Sequence, residues 1–570
     1  MKTSVKLAVL LSLAASIVAT DYQTRTEATV AQTEMVVSDR AAPSDVQAQA
    51  VLQGIVNSGR DEDLRWQDFH EYQTDVEAFY ESSAYRPLWT RNGKPTHQAL
   101  AYIWMLQRAS DKGLVPEDYD AARWDDRLNK LKSSPRDVAL ARFDVALTVS
   151  LMRYVRALNM GRVNPKTLGY GLEVDRWTLD LPEFLHKKLE NAADPAAEIR
   201  AVEPPWPGYW RTLDALHRVS AKAKEDSGEL LPVPKKPVLP GQAYPSIPRL
   251  AALLRLIGDL PGDARVDIRS GIYQSELVEA VKQYQLRHGL DADGKLSATV
   301  VHDLNTPISH RVRQIELTLE RWRWVPHYFP QPPVVINLPE FKLRAYDNTG
   351  HVVLLKNIIV GRAYHHRTPV FQNEIKYVVF RPYWEVPPSI QRAETVPHIE
   401  RDPNYIARNN FEVVASDGHV VTDGAVSAEV LAGLRSGRYR VRQKPGPKNA
   451  LGLVKIMFPN SENVYLHGTD APQLFALSRR DLSHGCMRVQ DPADLVSWVL
   501  HNNPGWNLER VKAAMDGKRD NVVVNLEKPI PVLILYGTVA TDENGRTYFF
   551  DDIYGFDAEL EKALAKVSGL

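Results

Sequence analysis

The residues best suited to do chemistry lie in one stretch, NVYLHGTDAPQLFALSRRDLSHGCMRVQDP (463–492). It holds the only cysteine of the chain, Cys486, inside Ser483-His484-Gly485-Cys486, with His467 nineteen positions upstream. A thiol with the ordinary pKa of about 8.5 is only a few per cent thiolate at neutral pH, so nucleophilic work needs an imidazole within hydrogen-bond reach. Strand alternation through NVYLH sets Tyr465 and His467 on one face, with Val464 and Leu466 on the other. His484 is two residues from the thiol, and residues that close on one strand seldom aim at each other, so His467 is the preferred base. Gly485 allows close backbone approach, and the amides of Gly485 and Cys486 are candidate oxyanion donors. Asp491-Pro492 then reads as a helix cap with proline at the first helical position.

Rival readings use the same residues. A lone cysteine is often a buried inert thiol, but two histidines and a glycine beside it argue against that. His467, His484 and Cys486 have the right ligand types for zinc, yet there is no further Cys and no H-x-E or H-E-x-x-H pattern to add a catalytic carboxylate. His365-His366 reads as a solvated turn. No G-x-S-x-G occurs, which disfavours a serine hydrolase. No metal and no organic cofactor is called for.

The elements that must position this stretch are strands. Val334–Leu338, Lys342–Tyr346, Val352–Leu355, Ile358–Val360 and Tyr377–Phe380 are apolar or alternating and rich in β-branched residues, with a hairpin turn at Asp347-Asn348-Thr349-Gly350. The regularity breaks between about 388 and 450 in a polar, Arg- and Asn-rich insert ending in KPGPKNALG, of the kind that often covers a site. After about residue 525, apolar VLIL and TYFF flank an Asp-Glu-Asn-Gly turn and predict a terminal hairpin followed by a helix.

Upstream the pattern is helical. Phe79, Tyr80, Leu88 and Trp89 form an aromatic cluster, and Val145, Val149, Met152, Val155 and Leu158 recur at helical spacing. These read as core. The Pro-rich LPVPKKPVLPGQAYPSIP (231–248) reads as an extended linker. In the unit after it Ser275 is a candidate helix cap, Leu277, Val281 and Tyr284 share a helix face, Gly289 ends that helix, and Ser297 caps another.

The chain's 570 residues suggest several domains, and 25% charged with 44% hydrophobic residues is the balance of a folded protein. Lys+Arg and Asp+Glu are both 70, so overall charge gives no argument for a nucleic-acid partner. Lys2 and Lys6 before the apolar run Leu7–Ala19 read as a secretory signal or anchor over 1–20, shorter than the about 20 residues of a membrane span. Residues 21–60 read as a flexible linker. A solitary thiol has no internal partner to mispair with in an oxidising compartment.

Two resemblances follow. EAVKQYQLRHGLDADGKLSATVVHDLN resembles the small three-helix peptidoglycan-binding module, which implies contact with glycan or stem peptide, unless the unit is a spacer. H-x15-S-H-G-C-x-R resembles the signature of L,D-transpeptidases with a YkuD-type catalytic domain. FYESSAYRPLW (79–89), LNMGRVNP (158–165), RPYWEVPPSI (381–390), ARNNFEV (407–413), GPKNALG (446–452) and DDIYG (551–555) resemble the large YcbB-like branch. The implied fold is a multidomain α+β chain: a helical scaffold domain (61–230), the Pro-rich linker (231–248), a peptidoglycan-binding-like module (249–307), a β-rich YkuD-type catalytic domain (308–524) with a capping insert, and a C-terminal hairpin and helix (525–570).

The resemblance implies that Cys486 is the nucleophile, His467 its base, and the Gly468 carbonyl the group that orients the imidazole. Ser483, His484, Gly485 and Arg488 would shape the nucleophile turn, and Tyr465 and Trp384 would line the donor site. Some relatives have Asp and Asn where this chain has Gly468 and Arg488. The implied reaction is 3→3 cross-linking of peptidoglycan through a cysteinyl thioester with a tetrapeptide donor, with D-Ala leaving and a diaminopimelate amine as acceptor. Carbapenem acylation, a periplasmic location and cell-wall synthases as possible partners are implied with it. L,D-carboxypeptidase activity, D-amino-acid exchange, attachment of a protein to the wall, or a non-catalytic wall-binding scaffold remain as alternatives.

Overall fold

The computed structural model describes residues 43–133, 137–174, 179–363 and 366–568. The segment read as a signal or anchor, and His365, lie outside them. Among the described residues no helix is long and apolar enough to cross a membrane.

The centre of the β-rich region is a sheet of nine strands: β1 Val334–Asn337, β2 Lys342–Tyr346, β3 Val352–Gly361, β4 Phe371–Phe380, β5 Val454–Met457, β6 Leu466–His467, β7 Asp481–Ser483, β8 Met487–Val489 and β9 Val522–Leu535. Pairing runs β3-β8-β6-β5-β4-β9-β1-β2 and returns from β2 to β3, so eight strands close a ring while β7 lies along β3. The two short runs expected at 352–355 and 358–360 are one strand. That length lets β3 pair with β2 along Val352–Asn357 and with β8 at Ile358 and Ile359.

The expected boundary at 524/525 falls inside β9. Its VLIL portion pairs in parallel with β1 (Val532↔Val334) and antiparallel with β4 (Ile534↔Phe371), so it belongs to the ring and not to a terminal hairpin. The hairpin is instead Val539–Thr541 with Thr547–Phe549, followed by a helix over Phe556–Val567. A register shift between Asn525 and Ile530 absorbs Pro529, which has no N–H for the ladder.

The insert folds as its own unit. Strands at 384–385, 440–443, 411–414 and 420–422 form a four-stranded sheet over a small core of Val396, Ile399, Ile406, Phe411, Val413, Leu434 and Val441. Its second stem is pinned by the GPKNALG segment. The buried Asn449 amide donates to the carbonyls of Pro382 and Lys444 at 3.2 and 3.0 Å, tying the two stems together.

In the scaffold the helix Asp137–Met160 is buried nearly all round, which makes it the core element its apolar stripe predicts. Its Asp144 accepts from Tyr80 Oη at 2.8 Å and from the amides of Leu88 and Trp89 at 3.0 and 2.8 Å, so FYESSAYRPLW is a structural clasp. Burial pushes that carboxyl up to about 6. The linker expected over 21–60 does not extend that far. Pro43–Ser58 is a helix whose Leu52 and Val56 are buried in the scaffold core, because apolar residues at i and i+4 share one face.

The Pro-rich 231–248 stretch is extended but not free. Asn305 holds both backbone groups of Leu231, at 2.7 and 2.8 Å, and Val238 bridges to Leu296. In the module Ser297 caps its helix through the Val300 amide at 3.2 Å, whereas Ser275 is the first helical residue and Gln274 holds the cap position. The module's Arg287 Nη1 donates to Thr547 O of the terminal hairpin at 2.7 Å. LNMGRVNP docks the scaffold against the helix Ile308–Trp322, with Glu320 accepting from the amides of Arg162 and Val163. Gly161 has φ +83°, and a Cβ there would stand 2.7 Å from Trp324 Nε1 and 2.8 Å from Glu320 Oε1.

Candidate active site

The site is built where β5, β6 and β8 lie side by side. Lys455 opposes His467, and His467 opposes Arg488, which makes a basic row across three strands. The alternate residues Ile456, Leu466 and Met487 are fully buried in the core behind it. Two residues back along the chain, Tyr465 and Cys486 stand on the same face as that row, with the Met487 amide donating to Tyr465 O at 3.1 Å. His467 and Cys486 are thus diagonal neighbours on adjacent parallel segments. The nineteen-residue separation in sequence is the crossover that brings them together.

His467 is 5% exposed, and its ring centroid lies 5.8 Å from that of Tyr465. Burial, then the Arg488 charge and the Lys455 charge, lower its pKa to about 3, opposed by a hydrogen bond to the Gly468 backbone. Nδ1 is buried with no hydrogen bond of ordinary geometry, so we take the Gly468 contact to be weak. The Cys486 thiol is half-buried, and burial raises its pKa. Hydrogen bonds from the Tyr465 backbone and hydroxyl, and the Lys455 charge, work in the other direction. Sγ also lies 3.7 Å from Asn463 O. The resting pair is a neutral thiol and a neutral imidazole.

The turn Ser483–Cys486 is held by the Ser483 hydroxyl. Ser483 Oγ donates to Cys486 O at 2.6 Å and accepts from the Gly485 amide at 3.2 Å, while Gly485 has φ +116°. From beneath, Thr368 Oγ1 donates to Gly485 O at 2.7 Å and accepts from the Gly361 amide at 2.9 Å. Tyr554 Oη donates to Gly361 O at 2.5 Å and accepts from the Thr368 amide at 3.2 Å. Tyr536 Oη accepts from the Tyr554 amide at 2.9 Å and donates to Asp552 at 2.6 Å, so DDIYG reaches the turn through fixed hydrogen bonds.

Comparison with known proteins agrees with this geometry. Residues 332–524 match the family model described as "L,D-transpeptidase catalytic domain" (YkuD), 246–301 that of "Putative peptidoglycan binding domain", and 74–216 that of "Scaffold domain". The chain carries a YkuD L,D-transpeptidase catalytic domain. A Haemophilus influenzae protein described as "Putative L,D-transpeptidase" is 31% identical over 256 residues, which span 45% of this chain and 50% of the relative.

Within the L,D-transpeptidase domain the remaining expected residues are dispersed. His484 points away from the basic row: Nε2 meets Glu394 Oε1 of the insert at 2.6 Å, and its ring lies 4.8 Å from that of His366. Trp384 begins the insert sheet, with its ring 6.1 Å from that of Phe411, and belongs to the insert's core. Arg488 is half-buried, and burial lowers its pKa against the opposing charge of Asp470. Asp491 precedes Pro492–Val499, but it is left-handed (φ +45°) and its side chain caps nothing; only the proline behaves as expected.

Sequence reasoning passed over Lys455, Thr368, Glu394 and Tyr554. Lys455 had one legible signal, a lone cation between the apolar Val454 and Ile456 of a strand. A Cβ on Gly452 would stand 2.6 Å from the Thr469 amide, so GPKNALG also packs against the segment that follows the histidine.

Proposed function

We propose that this protein is an L,D-transpeptidase that forms 3→3 peptidoglycan cross-links through a thioester on Cys486. The observation that carries the reading is the strand register that sets His467 and Cys486 on one face beside Tyr465 and Lys455. Neutral His467 takes the thiol proton as Sγ attacks the diaminopimelate carbonyl of a tetrapeptide stem. The imidazolium then protonates the departing D-Ala amine. The side-chain amine of a second stem attacks the thioester, its proton passes to His467, and the thiol is restored.

Each group has a role in this scheme. The Tyr465 hydroxyl and Lys455 stabilise sulfur as its charge develops. The Gly485 amide is engaged by Ser483, so the oxyanion role rests on the Cys486 amide. The Gly468 backbone orients the imidazole through the weak contact at Nδ1, and burial with the Arg488 charge keeps it neutral at rest. Glu394 on His484 anchors the insert over the nucleophile turn, where it limits water's access to the thioester. Trp384 and Tyr465 line the donor side. The peptidoglycan-binding domain supports stem peptides and glycan as the partner and a cell-wall, periplasmic location.

The test is intact-mass spectrometry after incubation with a disaccharide-tetrapeptide, with a carbapenem in parallel. We expect a covalent adduct that disappears in Cys486→Ala and is strongly slowed in His467→Ala. An adduct that persists in Cys486→Ala defeats the proposal. Product analysis with an amine acceptor present separates cross-linking from hydrolysis or exchange.

A further inference from the structure

A cavity of about 650 Å³ opens between the scaffold helix Pro207–Glu225, the peptidoglycan-binding domain and the terminal hairpin, and its lining shares no residue with the basic row around His467. Arg218, Lys222, Arg287, Arg311 and Arg546 line it, with Asp542 as the single carboxylate of the lining. Asp259 pairs with Arg287 and Asp303 with Arg311, which leaves the other three cations without an ion pair among the described residues. The guanidinium groups of Arg218 and Arg546 donate to neutral acceptors, Gly545 O at 2.8 Å and Gln283 Oε1 at 3.2 Å. The Asp542 carboxylate is turned into its own hairpin, where it accepts from the amides of Asn544 and Arg546 at 3.0 and 2.9 Å. The buried Phe549 ring supplies an apolar wall.

Concentrating three unpaired cations in one concavity is unfavourable unless something negative enters. Burial and then the charges of Arg287 and Arg218 lower the Lys222 pKa, opposed by Asp259 and Glu225. In a chain whose net charge is +0 this excess is local.

We infer that this cavity is a second ligand site that binds an oxyanion of two or more negative charges, held by Arg218, Lys222 and Arg546. Two sources share that chemistry: clustered carboxylates of a peptidoglycan stem peptide, and a phosphate group. The first rests on the function proposed above; the second does not. Arg218 and Lys222 come from one scaffold helix and Arg546 from the terminal hairpin, so an occupant would fasten the hairpin to the scaffold.

The test is hydrogen exchange over the hairpin 539–549 in the full chain, with inorganic pyrophosphate in one arm and a disaccharide-tetrapeptide in the other. We expect at least one to slow exchange there severalfold, with the effect fading at high salt. Protection should be lost in Lys222→Ala/Arg546→Ala and reduced in Arg546→Gln alone, while Cys486 is still acylated at the parental rate in both. The arm that protects identifies the source. If neither anion protects the hairpin, or the double variant is protected like the parent, the inference is overturned. Acylation of Cys486 is read in the disaccharide-tetrapeptide arm: an adduct there with no hairpin protection in either arm defeats the second site alone, and hairpin protection there without an adduct defeats the catalytic reading alone.

Discussion

Tyr465 touches the sulfur through both its backbone and its hydroxyl. A hydrogen bond to a charged group contributes about 1.5–3 kcal/mol, so Tyr465→Phe should slow alkylation of Cys486 by iodoacetamide near neutral pH about tenfold or more. Lys455→Met should act in the same direction on the thiol while relieving His467. An unchanged alkylation rate in either variant would mean that these groups do not reach the thiolate. The pH dependence of stability follows from His467. Its pKa is about 3 in the folded chain against 6.5 ordinarily, so the unfolded state binds the proton first. Its contribution is complete above 6.5 and is lost as pH falls from there towards 3, by up to about 1.4 kcal/mol per unit. Thermal melts from neutral to acid pH should therefore fall more steeply for the parent than for His467→Gln. His467 and Cys486 were legible in the sequence because a histidine, a thiol and a glycine stood at a telling spacing. Lys455 was not, because its neighbours are set by pairing among three strands, which spacing along one does not reveal.

Thr368 is where the elements meet. It is fully buried, it bonds the ends of β3 and of the nucleophile turn, and it is braced by the tyrosine of the C-terminal tail. Thr368→Val keeps the shape but leaves Gly485 O and the Gly361 amide unpaired, a loss of about 1–3 kcal/mol. We expect a lower melting temperature and slower acylation, with Thr368→Ser restoring both; a Ser variant as slow as Val would point to packing and not to hydrogen bonding. A Cβ on Gly361 would meet His366 O, the Thr368 amide and Gly485 Cα, all within 3.0 Å, which explains glycine at that crossing. The strands were readable from alternation and β-branched residues, but the closure of the ring was not. It depends on β3 changing partners halfway along and on β9 arriving from beyond the insert. Only the first arm of the terminal hairpin was misplaced for that reason: apolar VLIL looks the same whether it pairs locally or with β1 and β4, while the turn and the TYFF arm stand where expected.

At the scale of the molecule the scaffold and the catalytic domain share one core, in which Tyr170, Leu172, Val174 and Trp324 pack with the ring. Gly161 lies on that seam, and Gly161→Ala adds both left-handed strain and a clash with Trp324 and Glu320, roughly 2–4 kcal/mol in all. Calorimetry should show a single transition moved to lower temperature; two separated transitions would mean that the domains melt independently. Composition and periodicity separated helical from sheet regions, yet the Pro-rich 231–248 stretch and residues 43–58 were read as looser than they are. What fastens them is a distant Asn305 and a buried helix face, neither of which is local in sequence.

The position of β9 bears on how the proposed active site comes into being. Cys486, His467 and the basic row are all present once the chain reaches Val489, but the ring that holds them is shut only by a strand ending at Leu535, and the turn is braced only by Tyr554. A product truncated between those points would carry every reacting group and no frame to align them. Long-range pairing of this kind forms late in folding. On the function proposed above, reactivity would therefore arise only once the strand ending at Leu535 and the brace from Tyr554 are in place.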